Sequence, residues 1–226
     1  MIGTIINTLA VIVGGVLGTY LIKGIPDRIK ATVIQGIGLS VIYIGMKTTW
    51  ETRNPVILIV SLALGGTAGE LLHIEEGLEV MGNRLEKALA FGEGTFSKGF
   101  IMATLVYCVG AMAIMGSLQD GLTGRYDILL AKSALDGITA IIFSSTMGIG
   151  VAFSALPLLV YQGAISLLAQ QIRPLLTEAV VAEMSAAGGL LILGIGINLL
   201  EVARIRVAAL LPAIVAAAAL AALLPK

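Results

Sequence analysis

Long apolar stretches separated by short polar links run through the whole sequence and restrict what the chain can fold into. Most are close to the roughly 20 apolar residues that a helix needs to cross a bilayer. Inside the hydrocarbon only helices and closed barrels satisfy every backbone hydrogen bond. With 58% hydrophobic and 12% charged residues, the chain also lacks the charge that covers a soluble domain. We therefore predict an all-α, polytopic integral membrane helical bundle that forms a single membrane domain, residues 1–226.

The polar links divide the chain into eight predicted spans. These are residues 2–22, 31–50, 55–72, 99–117, two spans within 128–171, 185–200 and 207–224. The division of the long stretch near Gly148 rests on length alone, so seven spans is the alternative count. Residues 73–98 are the most polar part, and their apolar side chains recur at helical spacing. This pattern predicts an amphipathic helix and loop at the membrane interface.

Two parts of the sequence resemble each other at an offset of 151 positions, which places residues 33–72 on residues 184–223. The offset pairs Gly38 with Gly189, Gly45 with Gly196, and Arg53 with Arg204. In the eight-span topology five crossings separate the two copies, so they would run in opposite directions. The sequence thus suggests an inverted repeat, an architecture found in many transporters.

Two G-x-x-x-G spacings occur in the first and third spans, at Gly14 and Gly18 and at Gly65 and Gly69. Small residues at this spacing allow helix backbones to approach closely in lipid. We predict that they pack helices within one molecule. The alternative is a face that forms a homo-oligomer, most simply a dimer.

The fifth span carries two charges four residues apart, Lys132 and Asp136, which share a helix face and can pair. A charge inside a membrane is costly unless it is paired or hydrated, so it indicates a functional site. The alternative is that Lys132 snorkels at an interface and Asp136 only pairs with it. Gly137 permits a helix break beside Asp136. The other residues predicted to line a substrate or ion path are Ser133, Thr139, Ser144, Gln162, Gln35 and Asn198.

The sequence also argues against several classes of function. A formal net charge of zero gives no basic surface for nucleic acid. His73 is the only histidine and has no second ligand at metal spacing, and neither a G-x-S-x-G elbow nor a phosphate loop occurs. We predict no enzyme activity, no metal and no cofactor.

Several short motifs resemble those of the bacterial DUF554 family, the YdfK/YqgA-like membrane proteins. They are Gly3-Thr4-Ile5-Ile6-Asn7, Lys132-Ser133-Ala134-Leu135-Asp136-Gly137, Gly148-Ile149-Gly150-Val151, Tyr161-Gln162-Gly163 and Gly188-Gly189-Leu190-Leu191-Ile192-Leu193-Gly194. The resemblance covers nearly the whole chain. It implies a multi-pass protein of the bacterial inner membrane, and it implies no activity or site.

Two functions remain open. The charged, hydroxyl-rich fifth span and the suggested repeat favour a secondary transporter or channel, whose partners are the lipid bilayer and a small ion or solute. The rival is a non-transporting membrane scaffold or signalling protein, whose glycine faces pack against other helices. A hydrated cavity around Asp136 favours the first function, and a dry bundle with a closed pair favours the second.

Overall fold

The computed structural model describes residues 1–21, 27–77, 80 and 96–224, and all regular structure in these residues is helical. This confirms the all-α prediction. Most of the predicted interfacial helix within 73–98 lies outside the described residues, which include only a single helical turn at 74–77 from its first part.

Eleven α-helices and one short 3-10 helix make up the described part of the chain. They are α1 (Ile2–Leu21), α2 (Asp27–Thr49), α3 (Pro55–Leu71), α4 (Phe96–Cys108), α5 (Ala111–Thr123), α6 (Asp127–Met147), α7 (Gly150–Phe153), α8 (Ala155–Leu167), α9 (Ala169–Ile172), α10 (Glu178–Leu199), the 3-10 helix (Ala208–Leu210) and α11 (Pro212–Leu223).

Five helical segments are long and apolar enough to cross a membrane. They are Ile2–Tyr20, Ala31–Thr49, Asp127–Met147, Gly150–Leu167 and Glu178–Leu199. A sixth is obtained if α4 and α5, which meet at a bend of 60°, count as one broken span. The segments Pro55–Leu71 and Ala208–Leu223 are apolar but shorter. Eight crossings require the bent pair and both shorter segments to span as well, so that count stays a prediction.

Two of the helix breaks lie at glycines, and one glycine where the sequence suggested a break has none. α6 runs without interruption from Asp127 to Met147, so the break suggested at Gly137 is wrong. The predicted division of the long apolar stretch near Gly148 is present: α6 ends at Met147 and α7 begins at Gly150. A further break separates α4 from α5 at Gly110, whose φ of 125° is a backbone conformation that favours glycine.

The chain folds into two compact units, each built from two separate segments of sequence. Unit 1 comprises Met1–Val33 and Met81–Arg173, and unit 2 comprises Ile34–Val80 and Pro174–Lys226. Within unit 1, α1 lies parallel to α6, with Gly14 against Gly137 and Gly18 against Ser144. The glycines of the first G-x-x-x-G spacing therefore pack against a neighbouring helix of the same chain.

In unit 2, helices α2 and α10 are antiparallel and touch through glycines. Gly38 lies against Gly196, and Gly45 lies against Gly189 and Leu193. Contacts of this kind bring the two helix backbones together without intervening side chains, which is the close packing that small residues allow in lipid.

Helices α3 and α11 form a second antiparallel pair in unit 2. Gly65 lies against Ala213, and Gly69 lies against Ala209. The second G-x-x-x-G spacing therefore also packs on a helix of the same chain. Small side chains continue this contact into a buried cluster that includes Leu58.

A buried carboxylate fixes the start of α3. Glu183 of α10 is 2% exposed and accepts three hydrogen bonds, from the Thr52 hydroxyl at 2.7 Å and from the backbone N–H groups of Arg53 at 2.7 Å and Asn54 at 2.9 Å. A carboxylate beside free N–H groups at a helix start is a stabilising arrangement. Glu183 therefore has a structural role.

Candidate functional site

A closed ion pair lies within α6 of unit 1. The Lys132 ammonium nitrogen is 2.9 Å from Asp136 Oδ1 and 2.8 Å from Oδ2. Both side chains are buried, with 8% and 7% of their surface exposed. Asp136 lies about 14 Å along the helix from Asp127, so it is near the middle of the 21-residue helix. The pair therefore places two charges deep in an apolar bundle.

Two amide side chains from neighbouring helices complete the surroundings of Asp136. The Asn7 amide nitrogen on α1 donates to Asp136 Oδ2 at 3.0 Å and to Gln162 Oε1 on α8 at 3.4 Å. Both amides are 0% exposed. Three helices thus direct polar side chains to one point, and the predicted path residues Asp136, Lys132 and Gln162 are brought together there.

This cluster contains polar atoms that lack hydrogen-bond partners. They are the Asn7 carbonyl oxygen, the Gln162 amide nitrogen and the Tyr107 hydroxyl. Tyr107 of α4 lies beside α6, where its ring is stacked on that of Phe143 at a centroid distance of 6.5 Å and its hydroxyl is next to Thr139. A buried unsatisfied group costs about 1–3 kcal/mol. Three such groups around one carboxylate point to a bound polar species.

The break between α4 and α5 adjoins the cluster. Tyr107 and Cys108 are the last residues of α4, and Tyr107 contacts Phe143 of α6. A helix end leaves its last carbonyl groups without donors from its own helix. In transporters, backbone carbonyls of broken helices coordinate ions.

Buried polar groups continue from the cluster toward one end of α1. One turn from Asn7, the Thr4 hydroxyl lies 3.5 Å from that of Ser166, which donates to the Ser117 carbonyl at 2.9 Å. Beyond them, Asp120 is 4% exposed and accepts a hydrogen bond from the Gly3 N–H at 3.1 Å. We call these groups, from Asn7 to Asp120, the polar column.

The polar column was not predicted from the sequence. Its signal was the helical spacing of polar residues on two apolar helices, three positions between Thr4 and Asn7 and four between Gln162 and Ser166. This spacing places each pair on one helix face. Asp120 gave no comparable signal because the predicted span ended at residue 117, whereas α5 continues to Thr123.

The hydroxyl groups predicted for the path on α6 bond to their own helix. Ser133 donates to the Leu129 carbonyl at 2.6 Å, and Ser144 donates to the Ala140 carbonyl at 2.6 Å. Thr139 donates to the carbonyls one turn before it, at 2.9 and 3.0 Å. Of these three side chains, Thr139 is the one beside Tyr107 in the cluster.

Gln35 and Asn198, the remaining predicted path residues, belong to unit 2. Gln35 is exposed on α2. The Asn198 amide donates to the Ile205 carbonyl at 2.7 Å and accepts from the Ile205 N–H at 2.7 Å, so it braces the turn after α10. Among the described residues, no group of three or more His, Cys, Asp or Glu side chains is arranged to hold a metal ion.

Comparison with known proteins places the chain in a family. The model of DUF554, described as a protein of unknown function, matches residues 2–222. The chain is 33% identical to the uncharacterised membrane protein YdfK of Bacillus subtilis over 218 residues, which cover 95% of this chain and 93% of that protein. It is 32% identical to the uncharacterised protein YqgA of Escherichia coli over 227 residues, covering 98% and 97%. No solved structure matches. The chain belongs to the DUF554 family of membrane proteins, as its motifs indicated.

Proposed function

We propose that the protein is a secondary transporter or channel for an ion or small solute in the bacterial inner membrane. The observation that carries the proposal is the cluster of unsatisfied polar groups around Asp136. A chain that needed only a stable bundle would gain by replacing such groups with apolar residues of similar size. Their burial is explained if a small polar species or ion occupies the space between them at one stage of a transport cycle.

The polar column supplies the second argument. It gives a polar species a partly lined route between the middle of α6 and one end of α1, where the surrounding helices are otherwise apolar. Polar side chains inside a membrane bundle mark substrate and ion pathways in transport proteins.

The rival function, a non-transporting scaffold or signalling protein, is favoured by one observation. The Lys132–Asp136 pair is closed at 2.8–2.9 Å, as a purely structural pair would be. A structural pair explains the two charges. It gives no reason for the unpaired atoms of Asn7, Gln162 and Tyr107.

We further propose that unit 2 is an inverted repeat and that the chain crosses the membrane eight times. In the offset of 151 positions, Gly38 corresponds to Gly189, and Gly45 corresponds to Gly196. A contact of Gly38 with Gly196 should therefore be matched by a contact of Gly189 with Gly45, and both contacts are present. Reciprocal contacts of this kind are what a two-fold axis produces. The two shorter apolar segments, Pro55–Leu71 and Ala208–Leu223, occupy corresponding positions in the two copies.

Equilibrium exchange in proteoliposomes tests the proposed function. Vesicles filled with unlabelled sodium, potassium or small neutral solutes are mixed with a trace of the labelled form. Uptake faster than in protein-free vesicles detects a channel or an exchanger. We expect such uptake for the wild type and its loss in Asp136→Asn. Asp127→Asn, an exposed carboxylate on the same helix, is the matched control and should exchange normally.

Two results would overturn the proposal. One is wild-type vesicles that exchange no tested ion or solute faster than empty vesicles. The other is an Asp136→Asn variant that exchanges as fast as Asp127→Asn. Folding of each variant is checked by its elution as a single species and by its helical circular dichroism.

A further inference from the structure

We propose that the transported species is a monovalent cation, and that it binds at Asp136 in exchange for the proton of Lys132. This inference rests on the proposed function and names its substrate class and its coupling. The juxtaposition that carries it is a lysine ammonium held on the Asp136 carboxylate, within a buried cluster where the Asn7 and Tyr107 oxygens have no hydrogen-bond partner.

The atoms around Asp136 form an oxygen-rich site. Besides the carboxylate, they include the Asn7 carbonyl oxygen and Gln162 Oε1. The Tyr107 hydroxyl lies beside Thr139, three residues further along α6, and both it and the Asn7 carbonyl oxygen lack hydrogen bonds. Carboxylate and amide oxygens are the ligands of hard cations. The Lys132 ammonium now takes the position beside both carboxylate oxygens. It acts as a tethered cation in a site suited to a free one.

Charge balance sets the valence of the free cation. The closed pair is neutral, and an uncompensated charge in an apolar interior is very costly. If a monovalent cation enters and Lys132 keeps its proton, the site carries one excess positive charge. If Lys132 loses its proton, the cation and the Asp136 carboxylate are neutral together. A divalent cation would leave an excess charge in either case.

The exchange step balances with water as the proton acceptor. The cation takes the place of the ammonium at the Asp136 carboxylate, one N–H bond of Lys132 breaks, and the proton passes to water. The amine nitrogen keeps the electron pair and becomes neutral. The reverse step, protonation of the amine, expels the cation, so each turnover moves one cation one way and one proton the other.

The position of Lys132 suits this movement. It lies one turn nearer the start of α6 than Asp136, and side chains on a helix lean toward its N-terminus. Its flexible stem can therefore carry the amine from Asp136 toward that end. Other ionisable groups lie on the helices packed around the site, and among them the Met1 amino group pairs with Asp120 at 2.8 Å. Tyr107 and Cys108 lie on α4, Tyr161 lies on α8, and Asp120 lies at the far end of the polar column.

Cation binding measured as a function of pH tests the exchange. Purified protein is titrated with sodium chloride and potassium chloride, with choline chloride as the ionic-strength control, and binding is followed by the rise in melting temperature. Release of one proton per cation makes the apparent affinity rise tenfold per pH unit. We expect this slope in the wild type and in Asp127→Asn. We expect a pH-independent affinity in Lys132→Gln and no cation effect in Asp136→Asn.

A second measurement does not depend on the folding of any variant. Wild-type proteoliposomes that contain a pH-sensitive dye receive an inward sodium or potassium gradient while the membrane potential is clamped at zero. We expect the lumen to become alkaline, and magnesium to produce no such change. Cation exchange without a pH change would overturn the inference and leave the proposed function standing. A wild-type affinity that does not vary with pH, or a slope retained in Lys132→Gln, would also overturn it. Absence of any exchange would refute the proposed function itself.

Discussion

The glycine contact between α2 and α10 allows a sharp test of helix packing in unit 2. A methyl group added at Gly45 would lie 2.5 Å from the Leu193 backbone nitrogen and 2.7 Å from the Gly189 carbonyl oxygen. Backbone atoms cannot rotate away, and normal contact needs about 3.5 Å, so the helices must separate by roughly 1 Å. Such overpacking costs about 1–3 kcal/mol. Alanine recovers about 1 kcal/mol through its helix propensity, so we expect a net loss of up to about 2 kcal/mol.

Gly36 on the same helix provides the matched control. No atom lies within 4 Å of a methyl group placed there, so Gly36→Ala should keep the propensity gain of up to about 1 kcal/mol. Unfolding in mixed micelles by titration with sodium dodecyl sulfate, followed by circular dichroism, measures both free energies of unfolding. If Gly45→Ala is as stable as Gly36→Ala, the close contact between α2 and α10 does not exist.

The same assay carries three further predictions. Glu183→Gln should lose about 1–3 kcal/mol by weakening buried hydrogen bonds, whereas Glu178→Gln, with a side chain 81% exposed, should change little; equal effects would contradict the structural role of Glu183. Burial raises the pKa of Glu51, so its ionisation opposes folding as the pH rises through that pKa; Glu51→Gln should stabilise the protein at neutral pH and not in acid. The pKa of Glu76 is lowered by a hydrogen bond to its own backbone and, after that, by Arg206. The contribution of the Glu76 carboxylate to stability is therefore present above the ordinary glutamate pKa and is lost in acid. Glu76→Gln should destabilise the protein at neutral pH alone.

The parts of the fold that follow from hydrophobic run length were predictable, and the parts set by local backbone geometry were not. The long helices lie where the apolar stretches are, because each stretch must satisfy its backbone groups within itself. The bend between α4 and α5 occurs inside a stretch that reads as one uninterrupted span. It depends on the positive φ of Gly110, and glycines are too frequent in this sequence, 28 of 226 residues, for one of them to stand out.

The candidate site was predicted in part, through its charges. Lys132 and Asp136 stand out because charges are rare in apolar spans, and their spacing predicts the pair that the structure contains. Gln162 was included for its position in mid-span. Asn7 was not among the predicted site residues, although it makes hydrogen bonds between helices, to Asp136 and Gln162. A single sequence does not tell which helices become neighbours, so the meeting of α1, α6 and α8 had to come from the structure.

The contrast between hydroxyl and amide side chains explains why some polar residues of these helices form a site and others do not. A serine or threonine in a helix can donate its single proton to the carbonyl one turn before it, as Ser144 does to Ala140 at 2.6 Å. Its proton then needs no acceptor elsewhere, and the side chain tolerates an apolar neighbour. An asparagine or glutamine carries two donor hydrogens and an acceptor, which is more than one helix turn can satisfy. Asn7 and Gln162 therefore reach across to other helices, and even together with Asp136 they leave an acceptor and a donor unpaired. In an interior without bulk water, that remaining capacity is what a bound cation, or the water that accompanies it, would satisfy.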